Sequence, residues 1–368
     1  MTAPTLPALP ALLAPPGPAE VLDAAFVVRI PLAVPFRGLL EREAVLLRGP
    51  AGWGEFAPFL EYGDVEAARW LAAGIEAAWD DDPPAAVRDR VPVNATVPAV
   101  PASQVTAVLA RFSGCGTAKV KVAQAGQSLA DDVDRVAAVR DALGPSGRIR
   151  VDANGGWSVD DAVTALRALA RYGLEYAEQP CAGIDELRAL RLALARAGLD
   201  VPVAADESVR KAGDPLRVAV AGAADVIVLK VAPLGGVRAA FEVAQVLGGE
   251  HGIPVVVSSA LDTSVGIAAG VALAAALPEL PFACGLGTVS LLAADVAAAP
   301  LRPVDGLLRV GRADADAGLL AQLAAPPERQ AWWRDRLARC LGLLAAPAAT
   351  AVPAAPAGPA GPAGRHDR

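Results

Sequence analysis

Histidine is almost missing from this chain: of its 368 residues only His251 and His366 are histidines, the second close to the C-terminus. A His dyad, a Ser-His-Asp triad or a His-rich zinc site therefore has almost nothing to draw on. Cysteine is sparse and scattered. Cys115, Cys181, Cys284 and Cys340 form no CxxC pair and read as reduced core residues, against a disulfide framework or a thiolate zinc site. No run of Lys or Arg occurs, and the net charge is −7, so no footprint for a phosphate backbone exists and no nucleic-acid partner is expected. Mean hydropathy is positive, +0.39, but alanine and valine supply most of it. The longest apolar stretch, near residues 267–277, falls short of the ~18 residues a span requires, and no membrane partner is expected. The N-terminus has no positively charged region and is broken by prolines, which makes a poor signal peptide. A cytoplasmic protein is expected, as a monomer or small homo-oligomer.

Apolar residues are abundant, 54% against 20% charged, enough to build a large core. Residues 1–18 and 345–368 are rich in Pro and Ala without periodicity and are expected to be disordered tails. Residues 19–90 carry β-branched and aromatic segments punctuated by Gly and Pro, then helical periodicity over 65–79. This predicts an α+β cap, completed by about residues 300–344. From 91 to 299 short apolar runs alternate with alanine- and leucine-rich helical stretches. Strands are predicted at 93–97, 118–123, 148–152, 174–178, 201–206, 225–230, 253–259 and 281–285. That pattern predicts an α/β protein with a (β/α)8-type barrel, whose chemistry sits at the strand C-termini.

Lysine is the informative rarity. Only Lys119, Lys121, Lys211 and Lys230 occur, and Arg serves elsewhere, yet only a lysine can be shifted toward neutrality by burial. Lys211 looks like helix surface. Lys119 and Lys121, at i and i+2 on a strand, point to one side. Held close, one of them should have a depressed pKa and be available as a general base. Asp152, Glu178 and Asp206 end successive predicted strands at even βα spacing, so three carboxylates should meet. Their repulsion calls for a cation, and oxygen ligands suit Mg2+ or Mn2+. A divalent ion ringed by acids and flanked by lysines suits abstraction of the proton α to a carboxylate, with the ion stabilising the enediolate.

These residues resemble the enolase superfamily, muconate-lactonising subgroup: Lys119-Val120-Lys121, Val151-Asp152-Ala153-Asn154-Gly155, Glu178-Gln179-Pro180, Ala205-Asp206-Glu207-Ser208 and Leu229-Lys230, all in order. The resemblance covers roughly residues 24–310 and implies a modified (β/α)7β barrel under an α+β capping domain. The cap segments Phe36 to Glu43, Gly52 to Phe59 and Glu61 to Asp64, with Gly285-Leu286-Gly287-Thr288, resemble actinobacterial o-succinylbenzoate synthases. That resemblance implies dehydration of 2-succinyl-6-hydroxy-2,4-cyclohexadiene-1-carboxylate to 2-succinylbenzoate in menaquinone biosynthesis. Lys121 would then be the base and return its proton to the leaving hydroxide, while Lys230 on the opposite wall stays protonated. Lys119 would tune Lys121 and approach the substrate carboxylate. Asp152, Glu178 and Asp206 would ligate Mg2+, oriented by Asn154 and Glu207. Ser258, Ser259, Gly285 and Gly287 would line the pocket near the substrate carboxylates. Arg37, Gly38, Phe56 and Phe59 would close over the succinyl arm, although ordinary packing suits the two Phe residues equally well. Gly156 and the Pro/Ala tails depart from the family pattern.

An N-acylamino acid racemase or dipeptide epimerase of the same superfamily would use the same lysines and metal. Epimerases that recognise an α-ammonium group usually carry an Asp-x-Asp at the last barrel strand. Here that region reads Ala283-Cys284-Gly285-Leu286-Gly287-Thr288, which favours an uncharged or anionic substrate end. A Schiff-base aldolase using Lys230 as nucleophile would not need three converging acids. A non-catalytic binding barrel would leave Lys121 with an ordinary pKa.

Overall fold

The computed structural model describes residues 16–80, 82–210 and 214–345. Residues 1–15 and 346–368 of the expected tails, and Lys211, lie outside the described residues. Pro18 does not belong to a tail. It opens the helix Pro18–Asp23, in the first turn, where a missing N–H leaves no bond unmade.

Three antiparallel strands follow in chain order, β1 (Ala25–Phe36), β2 (Leu39–Gly49) and β3 (Gly52–Phe56). The β1–β2 turn places Arg37 and Gly38 at positive φ, 51° and 77°. The helix Asp64–Trp79 lies against β3 at very close range, since a Cβ on Gly54 would run into the Gly74 carbonyl. Phe56, Trp70, Leu71, Trp333 and Leu337 are buried in one cluster there, so the helix Pro327–Ala345 near the end of the chain is packed onto its beginning.

The remaining strands are β4 (Arg90–Pro92), β5 (Ala95–Val97), β6 (Thr117–Lys121), β7 (Arg148–Asp152), β8 (Leu174–Glu178), β9 (Val203–Ala205), β10 (Val226–Leu229), β11 (Val255–Val257) and β12 (Leu307–Arg309). Strands β5 to β11 form one parallel sheet in sequential order, and β12 pairs with β4 apart from it. The eighth barrel strand expected at 281–285 is not a regular strand. It shrinks to single bridges, Cys284 to Val93 and Gly285 to Ser258, which are enough to join the sheet's two edges. Gly285 suits the junction because a side chain there would strike Ser258 Oγ.

Strand alternation sorts the barrel's side chains. Outward positions such as Val120, Val151, Ala177, Val203, Ile227 and Val257 belong to the large core under the helices. Inward positions run from an apolar floor of Tyr176, Ala204, Val226, Val228 and Val256 up to the polar mouth. Level with Tyr176 of that floor, Arg150, fully buried, pairs with Glu175 Oε2 at 2.5 Å and stacks 4.7 Å from the Tyr176 ring. With a period of two, one strand thus carries Arg150 at the base and Asp152 at the mouth. Among the described residues no helix is long and apolar enough to cross a membrane.

Candidate active site

Register puts the chemistry in a row. Lys121 on β6 is paired with Asp152 on β7, and Asp152 with Glu178 on β8. Glu178 is beside Ala204 on β9, so Asp206 rises two residues further on. Lys230 caps β10, four strands from β6 and therefore on the opposite wall. All six of Lys119, Lys121, Asp152, Glu178, Asp206 and Lys230 reach one end of the barrel. A narrow cavity of about 30 Å³ is lined there by the three lysines, Asp152, Asp206 and Asn154, with Phe36, Arg37 and Phe59 from the cap.

Acids and ammonium groups answer one another. Lys121 Nζ donates to Asp152 Oδ2 at 2.5 Å and to Asn154 Oδ1 at 2.8 Å. Lys119 Nζ donates to Glu178 Oε1 at 2.7 Å and is 3.5 Å from Asp152 Oδ2. Lys230 donates to Asp206. Arg210, one turn beyond Asp206, is an ion-pair partner of both Asp206 and Glu207 and donates to Tyr62 Oη of the cap at 2.6 Å.

The convergence of three acids on one ion is not the arrangement these side chains adopt. As they stand, no group of three His, Cys, Asp or Glu among the described residues could hold a metal ion. Three buried anions require countercharge, and the lysines supply it. Yet the donor set still fits a hard divalent cation: it offers oxygens only, and the buried Glu178 Oε2 has no hydrogen-bond partner. Burial, and next to it Asp152, pushes the Glu178 carboxyl up to about 7, the behaviour of a carboxylate short of positive charge.

Of the lysine pair, Lys119 is not the depressed member. Burial lowers Lys119, but Glu178 and Asp152 outweigh it and carry the ammonium above the ordinary lysine range. On the opposite wall, burial outweighs the pull of Asp206 and lowers Lys230. Asp152, despite burial, is held well below the usual carboxylate range by Lys121 and Lys119. Asp206 is held down likewise by Lys230 and Arg210.

Asn154 bridges as an orienting residue should: besides accepting from Lys121, its Nδ2 donates to Glu207 Oε1 at 3.1 Å. Ser258, Ser259, Gly285 and Arg37 all line the cavity. Gly287 and Phe56 do not. Gly287 faces the backbone of Asn94 and the Phe112 ring. Phe56 is fully buried in the cap core, edge-on to Trp333 with centroids 5.8 Å apart, because alternation on β3 sends it to the side opposite Glu55. Sequence reasoning missed Arg210, whose signal was its position four residues after Asp206 at the head of a helical stretch. It gave no role to Thr96 or Thr288, which line the cavity, or to Gln179, although the last two stand in the motifs quoted above. The fully buried Gln179 accepts from Asp206 N at 2.9 Å and Ser208 N at 3.1 Å, locking the end of β8 to that of β9.

A cap of three strands and a helix over a barrel with lysines on opposite walls and acids between them defines the enolase-like class. Residues 27–78 match the family model described as enolase N-terminal domain-like, and residues 102–322 the one described as enolase C-terminal domain-like. The chain is 57% identical over 326 residues to the o-succinylbenzoate synthase of Mycobacterium leprae, covering 88% of this chain and 93% of that protein. It is 58% identical to that of Mycolicibacterium smegmatis over 326 residues, 88% and 97% of the two chains. For Mycobacterium tuberculosis the identity is 56% over 340 residues, 92% and 98%. The chain belongs to the o-succinylbenzoate synthase family of the enolase superfamily. Its fold is also that of the muconate lactonizing enzyme of Pseudomonas putida, at TM-score 0.69 and 23% identity over 82% of this chain and 98% of that one. The N-succinyl Arg/Lys racemase of Bacillus cereus shares it at TM-score 0.67 and 19% identity, over 82% and 97%.

Proposed function

We propose that the chain dehydrates 2-succinyl-6-hydroxy-2,4-cyclohexadiene-1-carboxylate to 2-succinylbenzoate, a hydro-lyase step of menaquinone biosynthesis. A small carboxylate is then its partner and the cytoplasm its setting. One observation carries the reading: Lys121 and Lys230 enter a single cavity from opposite walls, with Asp152 and Asp206 between them. An acid lying in that cavity presents its α-proton to one amine and its other face to the second.

Lys121 Nζ, in its neutral form, takes the proton from C1. The electron pair left behind is drawn into the carboxylate and returns to expel the hydroxyl at C6. That hydroxyl leaves as water with the proton Lys121 has just taken, on the same face, and the ring becomes aromatic. Lys230, whose ammonium Asp206 holds against the lowering that burial imposes, stays protonated and faces the negative charge that builds on the carboxylate. Asn154, bonded to both Lys121 and Glu207, fixes the angle at which the base meets the proton. Arg37, exposed at the β1–β2 turn, and Phe59 cover the succinyl arm and limit water.

Divalent-metal dependence goes with the superfamily. We assign the ion as Mg2+, with Mn2+ as a substitute, held by Asp152, Glu178 and Asp206. Bound there, it supplies Lewis-acid neutralisation of the substrate carboxylate. Among the described residues, no acid from the 283–288 segment lines the cavity to meet an α-ammonium group, which supports an anionic substrate over that of an epimerase. The test is an ultraviolet assay with the cyclohexadiene acid beside a panel of N-succinyl amino acids. Dehydration of the first is the expected result. Racemisation of the panel without dehydration would replace this reading with the racemase one.

A further inference from the structure

Two charged side chains of the cap are buried where it meets the barrel, outside the set that handles the proton. Glu55, near the end of β3, is 8% exposed. Its carboxylate accepts from Thr263 N at 3.1 Å, from Thr263 Oγ1 at 2.5 Å and from Gly266 N at 3.0 Å. Those donors belong to the N-terminus of the barrel helix Ser264–Ala276, whose first turn a carboxylate stabilises. Arg42 on β2 is 4% exposed. Its guanidinium donates to Ala57 O of the cap, reaches Ala260 O and Leu261 O of the barrel at 3.4 Å, and stacks 4.3 Å from the Phe59 ring. Asp262 lies between the two anchored ends and accepts from Ala260 N at 3.0 Å.

Both side chains therefore grip one segment, residues 260–266, which continues directly from Ser258 and Ser259 in the cavity wall. Leu261, in that wall, has φ of 63°, a conformation an unsupported leucine leaves readily. Apolar packing would join two domains without the desolvation that a buried carboxylate and guanidinium incur. Charged groups add direction: Glu55 bonds to Thr263 and Gly266 of this loop, and Arg42 ties its Ala260 and Leu261 carbonyls to Ala57 O of the cap. Phe59, the ring Arg42 holds, lines the cavity too.

We propose that Glu55 and Arg42 are positioning residues for substrate binding, a latch that holds the 258–263 loop and Phe59 against the bound acid. The latch sets affinity for the succinyl end and leaves proton transfer at Lys121 untouched. This rests on the reaction proposed above.

The experiment compares Glu55→Ala, Glu55→Gln and Arg42→Lys in the full chain, using steady-state kinetics, calorimetric titration with 2-succinylbenzoate and hydrogen exchange. Glu55→Ala should raise KM and the product Kd about tenfold with kcat within about threefold. Glu55→Gln keeps an acceptor for the loop N–H groups and should restore most of the affinity. Arg42→Lys loses the forked, stacked guanidinium and should shift Kd in the same direction by less, and it serves if Glu55→Ala does not fold. Parental Kd in Glu55→Ala together with faster exchange at residues 258–266 would overturn the latch, as would a fall in kcat at unchanged Kd. Should the parent neither bind 2-succinylbenzoate nor dehydrate the diene, the reaction reading fails and exchange alone judges the latch. It then stands if Glu55→Ala frees residues 258–266 and 57–60 while β6 to β8 stay protected, and falls if those segments remain protected.

Discussion

At the barrel mouth Asp152, Glu178, Asp206 and Glu207 are met by Lys119, Lys121, Lys230 and Arg210, four acids against four bases. At the seam between cap and barrel, Glu55 and Asp262 share Arg42 as a cation, with Lys230 acting on Asp262 as well, and rely on backbone N–H groups for the rest. Charge matched by long side chains can be rearranged: a lysine can swing off its carboxylate when an acid or a cation arrives. Charge matched by backbone cannot move without moving a helix end. The mouth is thus built to exchange partners and the seam to stay still.

The largest effect expected at the mouth comes from Lys121→Arg, which keeps the charge but cannot give up a proton at neutral pH. Turnover should fall about 10³-fold with the fold intact by circular dichroism. Activity within tenfold of the parent would end the role of Lys121 as base. Glu178→Gln removes the acid whose Oε2 is unpartnered and should weaken Mg2+ binding about a hundredfold in a calorimetric titration. Unchanged Mg2+ affinity would show that the mouth's acids serve only the lysines.

The seam should instead reveal itself in stability against pH. Burial, then Asp262, pushes the Glu55 carboxyl up to about 8, opposed by Arg42 and the Thr263 bonds. Glu55, Asp262 and Lys230 line one small cavity at the seam. A carboxyl raised on folding binds its proton more tightly in the native state. Its stabilising contribution is full below the unfolded value of about 4.3 and is lost as pH rises through about 8. Urea unfolding should therefore show the parent losing stability relative to Glu55→Gln between about pH 5 and 8, and a constant difference would remove Glu55 as the titrating group. The smallest effect is Phe56→Leu. It gives up the edge contact with Trp333 and should cost about 1 kcal/mol of stability with KM unchanged. A clear rise in KM would return Phe56 to the substrate site.

The mouth was legible because its residues recur at strand ends at one βα spacing, and strand alternation fixes their side. Lys121, Asp152 and Glu178 fall in one lateral row for that local reason. The eighth strand misled for a local reason as well: Pro281 to Gly285 reads as a strand, yet its pairing is confined to Cys284 and Gly285. Phe56 misled because its neighbour Glu55, not Phe56 itself, faces the barrel, and nothing in Gly52 to Phe59 says which side of β3 is covered by which domain.

Composition, period and motif order by themselves determined that this is a capped parallel barrel whose lysines and acids share one mouth, since those follow from short-range repetition along the chain. Only the tertiary structure decided how the charges are paired, which cap residues reach the cavity, and that Glu55 and Arg42 grip a loop about 200 positions away. Such contacts depend on how two separately patterned domains are docked, and docking leaves no periodic trace in either one.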